Sequence, residues 1–332
     1  MKQQSLEQYQ VFIYLVAIGC GLLFGTVFPG SVGVLEFALW PLLGVLLYAT
    51  FTQVPLAHLG EAFSGSRFMV AAVVGNFLVL PIVVWALMQL APAIPAVRLG
   101  ILLVLLVPCT DWFITFTHLG GGDTRRAIAF SPVSLILQLL LLPVYLWAFF
   151  GADFAISVAQ REMLMAFFGL IVLPLIAAFL TEKCIEIDKL NERLANRLAW
   201  LPVPLLALVV FSIAATQVGT VVESAGLLGH LLVIFVIFLI IAGLLARALG
   251  LLFRLPADQG RVLAFSLGTR NSFVMLPLAL ALPGHLELAV VVIVFQSLVE
   301  LFGMAVYLWW VPNRLFPIVG SRSRSKNAQS GG

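Results

Sequence analysis

Long apolar runs separated by short polar connectors fill this chain from Val11 to Trp309. Runs of about 18–25 residues match the bilayer's hydrocarbon core at the rise of an α-helix. The pattern predicts ten spanning helices, near residues 11–29, 34–51, 68–91, 98–118, 127–150, 163–181, 199–218, 227–246, 262–282 and 287–311. Two of them are interrupted. The fourth carries Pro108-Cys109-Thr110-Asp111 and the ninth Gly268-Thr269-Arg270-Asn271, each a helix breaker beside a charge at mid-membrane depth.

The interruptions belong to a wider repeat. Pro41-Leu42-Leu43 leads to Thr52-Gln53-Val54 in the second span, and Pro204-Leu205-Leu206 to Thr216-Gln217-Val218 in the seventh. Gln138 with Val144-Tyr145-Leu146-Trp147 in the fifth returns as Gln296 with Val306-Tyr307-Leu308-Trp309 in the tenth. The offsets, 158 to 164 residues, pair each span with the one five later. Five is odd, so the second copy enters the membrane upside down, as in many secondary transporters. The expected fold is an all-α polytopic membrane protein of five-plus-five inverted repeats, 11–150 and 163–311, forming one unit over 1–332. Residues 320–332, rich in Ser, Arg and Gly, are expected to be a disordered tail.

Charge sets the orientation. With ten spans, both termini and four connectors share one side, which carries 15 of the 18 basic residues. Arg98 and Arg161 lie opposite, and Arg270 alone falls inside a span. The positive-inside rule places both termini in the cytoplasm, with the plasma membrane as the expected location.

Composition agrees. The chain of 332 residues is 62% hydrophobic and 10% charged, far below the roughly 25% charged residues of soluble domains. A net charge of +3, spread over loops and tail, gives no nucleic-acid stripe. Cys20, Cys109 and Cys184 form no CxxC pair, and no metal-site spacing surrounds the four histidines. Polar Met1–Gln10 precedes a run long enough to stay in the membrane, so no cleaved leader is expected. No nucleotide fingerprint or hydrolase motif occurs, and an enzyme is not expected. Nor is a cofactor; the coupling ion would be H+ or Na+.

Buried charge marks the candidate chemistry. Asp111, Arg270 and Glu300 each lie within a span, where a charge costs roughly 2.5–3.5 kcal/mol on insertion scales and needs a cavity or a partner. Asp111 and Arg270 either form a fixed internal salt bridge or line a site in which one of them titrates or meets substrate. Pro108 and Gly268 free backbone groups that can bind ions. Cys109, beside Thr110 and Asp111, is either a packed cysteine or a soft ligand. Substrate contacts are expected from Cys109, Thr110, Asp111, Thr269, Arg270 and Asn271. Asp111, Ser131, Ser134, Gln138, Gln296 and Glu300 are the coupling-ion candidates, with Asn76 and Ser272 as further polar neighbours. His118 with Gly120-Gly121-Gly122-Asp123 reads as a helix end and turn.

These residues carry a resemblance. Cys109-Thr110-Asp111-Trp112-Phe113, Thr117-His118-Leu119 and Gly121-Gly122-Asp123 resemble the fourth-helix signature of arsenite efflux permeases, a branch of the bile acid/sodium symporter superfamily. Ala127 to Tyr145, with Ser134-Leu135-Ile136-Leu137-Gln138, is similar to that branch's fifth helix, and Gly75-Asn76-Phe77 through Pro81 to its third. The resemblance implies a core of spans 3–5 and 8–10, with spans 4 and 9 broken and crossing, and a panel of spans 1, 2, 6 and 7. It implies that Cys109 contacts a metalloid. The ninth span departs: Val274 follows Asn271-Ser272-Phe273 where the permeases place an acidic residue. Ser266 and Arg270 stand where sodium-coupled relatives carry Glu and Gln. Arg270 is then a residue that repels sodium, anchors an anion or replaces the coupling ion. The function implied is arsenite or antimonite efflux with Cys109 on the metalloid; driven by proton antiport, it would take Asp111 as the proton carrier, an expectation from its charge alone. The alternative is transport of a small organic anion anchored by Arg270.

Overall fold

The computed structural model describes residues 3–55, 67–158, 161–187 and 197–317; the expected tail, 320–332, lies outside them. Among the described residues the protein is helical, and the one β feature is an isolated antiparallel bridge between Pro108 and Arg270. Helices α1 (Gln3–Val27) and α2 (Val32–Phe51) come first, followed by α3 (Arg67–Met88). The fourth run divides into α4 (Pro95–Leu105) and α5 (Trp112–Leu119). After these come α6 (Thr124–Val158), α7 (161–187), α8 (Pro202–Thr216), the short α9 (Val218–Glu223) and α10 (Ala225–Leu252). The ninth run divides into α11 (Ala257–Gly268) and α12 (Ser272–Leu280), and α13 (Leu288–Trp310) follows.

Among the described residues, six helices are long and apolar enough to cross a membrane: Pro29–Phe51, Arg67–Met88, Thr124–Gly151, Leu164–Ile185, Gly226–Leu252 and Gly284–Leu315. Their outer faces stay apolar, with Phe37, Leu78, Ile82, Leu173 and Leu251 all exposed. In water such a surface would aggregate; in lipid it needs no cover. This is a multi-pass helical membrane protein.

Helix packing falls into two groups. α1 lies along α8, α8 along α2, and α7 against α2. In the other group α10 packs on α11 and α13, α13 on α4 and α12, and α5 on α6 and α11. The first group closes through glycine. A Cβ at Gly21 would sit 2.3 Å from the Phe211 carbonyl oxygen, and one at Gly25 2.2 Å from that of Ala215. Small residues four apart let α1 and α8 touch backbone to backbone, the main source of helix association where lipid is as apolar as leucine.

α3 contains a π turn at Gly75–Val79. Pro81 lacks the N–H that the Phe77 carbonyl would otherwise accept, and the Tyr145 hydroxyl donates to that carbonyl at 2.7 Å. Within the turn, the Asn76 amide donates to Ala72 O at 3.1 Å. Where α5 ends, Gly120-Gly121-Gly122 forms a Schellman close. Gly122 N–H donates to Thr117 O and Gly121 N–H to His118 O, with Gly121 at φ +67° as the motif requires. Asp123 then accepts from the N–H groups of Arg125 and Arg126 at the start of α6.

Candidate functional site

The two interruptions meet. Cys109 N–H donates to Thr269 O at 3.2 Å and Asn271 N–H to Val107 O at 2.7 Å, so each broken helix supplies the other's missing backbone partners. α4 and α11 thus end, and α5 and α12 begin, around one crossing. Helix C-termini carry partial negative charge and N-termini partial positive charge, so the crossing has two of each.

A hydrogen-bond account explains Arg270. In an unbroken helix, Ser266 O would accept from Arg270 N–H, Leu267 O from Asn271 N–H and Leu105 O from Cys109 N–H. All three donors have gone elsewhere. Arg270 N–H donates to Glu300 Oε2 at 2.9 Å, and the other two make the crossing bonds. The Arg270 guanidinium takes the three orphaned carbonyls: Ser266 O at 2.7 Å, Leu267 O at 2.8 Å and Leu105 O at 3.3 Å. It also donates to Asn76 Oδ1 at 3.0 Å, and Asn76 is held in turn by Ser266 Oγ. The Phe238 ring lies 5.6 Å from the guanidinium carbon. Arg270 is only 2% exposed.

Asp111 lies apart. It forms no ion pair with Arg270; instead the Cys109 thiol donates to its Oδ1 at 3.1 Å. Asp111 occupies the N-cap position of α5 without capping through its side chain, which leaves the carboxylate to the thiol. Asn271 caps α12, accepting from Val274 N–H at 3.4 Å, and its amide donates to Thr110 Oγ1 at 3.3 Å. Asp111 is half-buried and borders a cavity of about 40 Å³ with Gln10, Gln53, Trp112, Ala199 and Pro202. Trp112 covers it, stacked on Tyr14 of α1 at 6.1 Å and edge-on to Phe273 of α12 at 5.4 Å.

The remaining candidates divide. Ser131 donates to the Thr110 carbonyl, which ties α6 to the first interruption. Ser272 donates to Gln296 Oε1 and Gln296 to Glu300 Oε2, both at 2.8 Å, forming a polar chain that ends under Arg270. The Ser134 hydroxyl and both ends of the Gln138 amide are buried without a partner on the same face of α6, outside this network. His118 is exposed and does not approach Asp111 as a catalytic partner would. Among the described residues no group of three His, Cys, Asp or Glu side chains could hold a metal ion.

Two features had no weight in the sequence. Arg261 reads there as one more cytoplasmic charge, yet it is buried and donates to Phe316 O, Gly120 O and Gly121 O. Trp112 reads there only as one position of the fourth-helix signature and Tyr14 as an ordinary apolar residue; their stacking gives them a place over the site.

A profile of the sodium bile acid symporter family matches residues 40–248, more than half of the chain. The chain belongs to the sodium bile acid symporter family. It is therefore a membrane transporter of small solutes. The match takes in the first interruption and stops before the second. No curated protein matches the chain.

Proposed function

We propose that this family member is a secondary active transporter that exports arsenite or antimonite across the plasma membrane in exchange for protons. Cys109 contacts the metalloid and Asp111 carries the proton. One observation carries the reading: the Cys109 sulfur and the Asp111 carboxylate lie 3.1 Å apart at a helix N-terminus that borders a cavity. Sulfur is the soft ligand a trivalent metalloid prefers. A carboxylate in hydrogen-bond contact with that sulfur makes proton loading and metalloid binding compete for one place, which is what antiport requires. Thr110, Thr269 and Asn271, buried at the crossing behind this pair, complete the proposed site.

The same reading takes residues 1–332 as one unit of ten spans, with 11–150 and 163–311 as inverted repeats and both termini cytoplasmic. The backbone bridge between two interrupted helices supports that arrangement. The organic-anion alternative draws support from the family's name, but its anchor is engaged: the Arg270 guanidinium is buried among protein oxygens.

Resistance tests the reading directly. In a metalloid-sensitive host, the wild-type protein raises the arsenite tolerance of the cells and Cys109→Ser does not, at equal membrane abundance. In everted vesicles an acid interior drives arsenite uptake, with sodium replaced by N-methylglucamine. A Cys109→Ser variant with full transport would falsify the assignment of the thiol.

A further inference from the structure

We infer that Arg270 is a tethered cation: its guanidinium permanently fills an oxygen cage that would otherwise take up a free monovalent cation. The cage is built from backbone. Ser266 O and Leu267 O come from the last turn of α11, and Leu105 O is the last carbonyl of α4. Two helix C-termini therefore point their negative ends at one spot. Asn76 Oδ1 adds a fourth oxygen, held in position by the π turn and by Ser266. Unwound carbonyls and half-helix C-termini are the ligands by which transporters hold coupling cations at mid-membrane.

Each acceptor is oriented by the crossing. The carbonyls are orphaned because Arg270, Asn271 and Cys109 send their N–H groups to Glu300, Val107 and Thr269. Their positions are thus set by the fold and do not depend on the Arg270 side chain. Removing that side chain leaves four oxygens, two dipole ends and Glu300 with no positive charge among them. In a site almost closed to water such a cage either takes up a cation or opens. The guanidinium makes this site independent of cation supply. It also removes one place at which a sodium gradient could couple to the cycle.

The inference does not rest on the substrate. Its test is the melting midpoint of the full-length, detergent-purified protein in sodium chloride against N-methylglucamine chloride at equal ionic strength. Arg270→Ala and Arg270→Gln are expected to gain a midpoint rise in sodium of roughly 2 °C or more beyond any response of the wild type, since a ligand bound only by the native state stabilises it. Millimolar guanidinium ion, which resupplies the missing group, should produce the same rise in Arg270→Ala but not in the wild type. Folded truncation variants whose response to sodium and guanidinium equals that of the wild type overturn the inference. Should the truncations not fold, Arg270→Lys decides. It keeps the tethered charge and is expected to match the wild type in both salts; an added sodium response in it overturns the proposal equally.

Discussion

Arg270 and Arg261 show at the residue scale how a buried guanidinium is kept. Each faces backbone carbonyls, and neither has a carboxylate as its main partner. Arg261 spends three nitrogens on Phe316, Gly120 and Gly121, joining the Schellman close after α5 to the segment after α13. Five donors in a fixed fork suit several carbonyls at once, and a lysine ammonium lacks that geometry. Arg261→Ala should leave these buried oxygens unsatisfied at about 1–3 kcal/mol each, partly relieved by water at the helix end. The expected outcome is a lower midpoint in thermal unfolding with the substrate KM unchanged, because Arg261 is remote from Cys109. Arg261→Lys should recover only part of the loss. An altered KM at wild-type stability would assign Arg261 to the transport pathway.

At the element scale, the broken helices were readable in the sequence because Pro108 and Gly268 are breakers within apolar runs. What the breaks do with their carbonyls was not readable. Carbonyls carry no residue identity, so the sequence offered Asp111 as the obvious partner for Arg270, and the crossing supplied backbone oxygens in its place. Gly268 also changes meaning. A Cβ there would lie 2.7 Å from the Tyr307 ring, so close packing on α13 requires glycine as much as the break does. Gly21 and Gly25 took no part in the sequence reading, and their partner, α8, lies about 190 residues away with no marker of its own. Gly25→Leu should drive a side chain into the Ala215 carbonyl and force α1 off α8. We expect a loss of monodispersity and a midpoint several degrees lower, because overpacking costs about 1–3 kcal/mol or more. Gly19→Leu, at a position open to lipid, is the matched control and should be silent.

Across the whole molecule, two cavities sit at opposite ends of α2. One borders Asp111 and includes Gln53, just past the end of α2; the other, about 240 Å³, is lined by Glu36, Trp40, Gln217 and Glu287. Glu36 and Gln53 are 17 positions apart, about 25 Å along a helix. α8 shows the same polarity, with Pro202 beside Asp111 and Gln217 at the far cavity. Asp111, bonded by Cys109, therefore borders the cavity on the side of Gln10 in α1, while the cavity at the other end of α2 carries the carboxylates of Glu36 and Glu287. With both termini cytoplasmic, as proposed, the cavity beside Asp111 opens on the cytoplasmic side and the one beside Glu36 on the outer side. Single cysteines decide it in a chain with Cys20, Cys109 and Cys184 replaced by serine. Glu36→Cys should react with a membrane-impermeant maleimide in intact cells, and Gln53→Cys only after the membrane is opened. The reverse pattern would invert the proposed orientation.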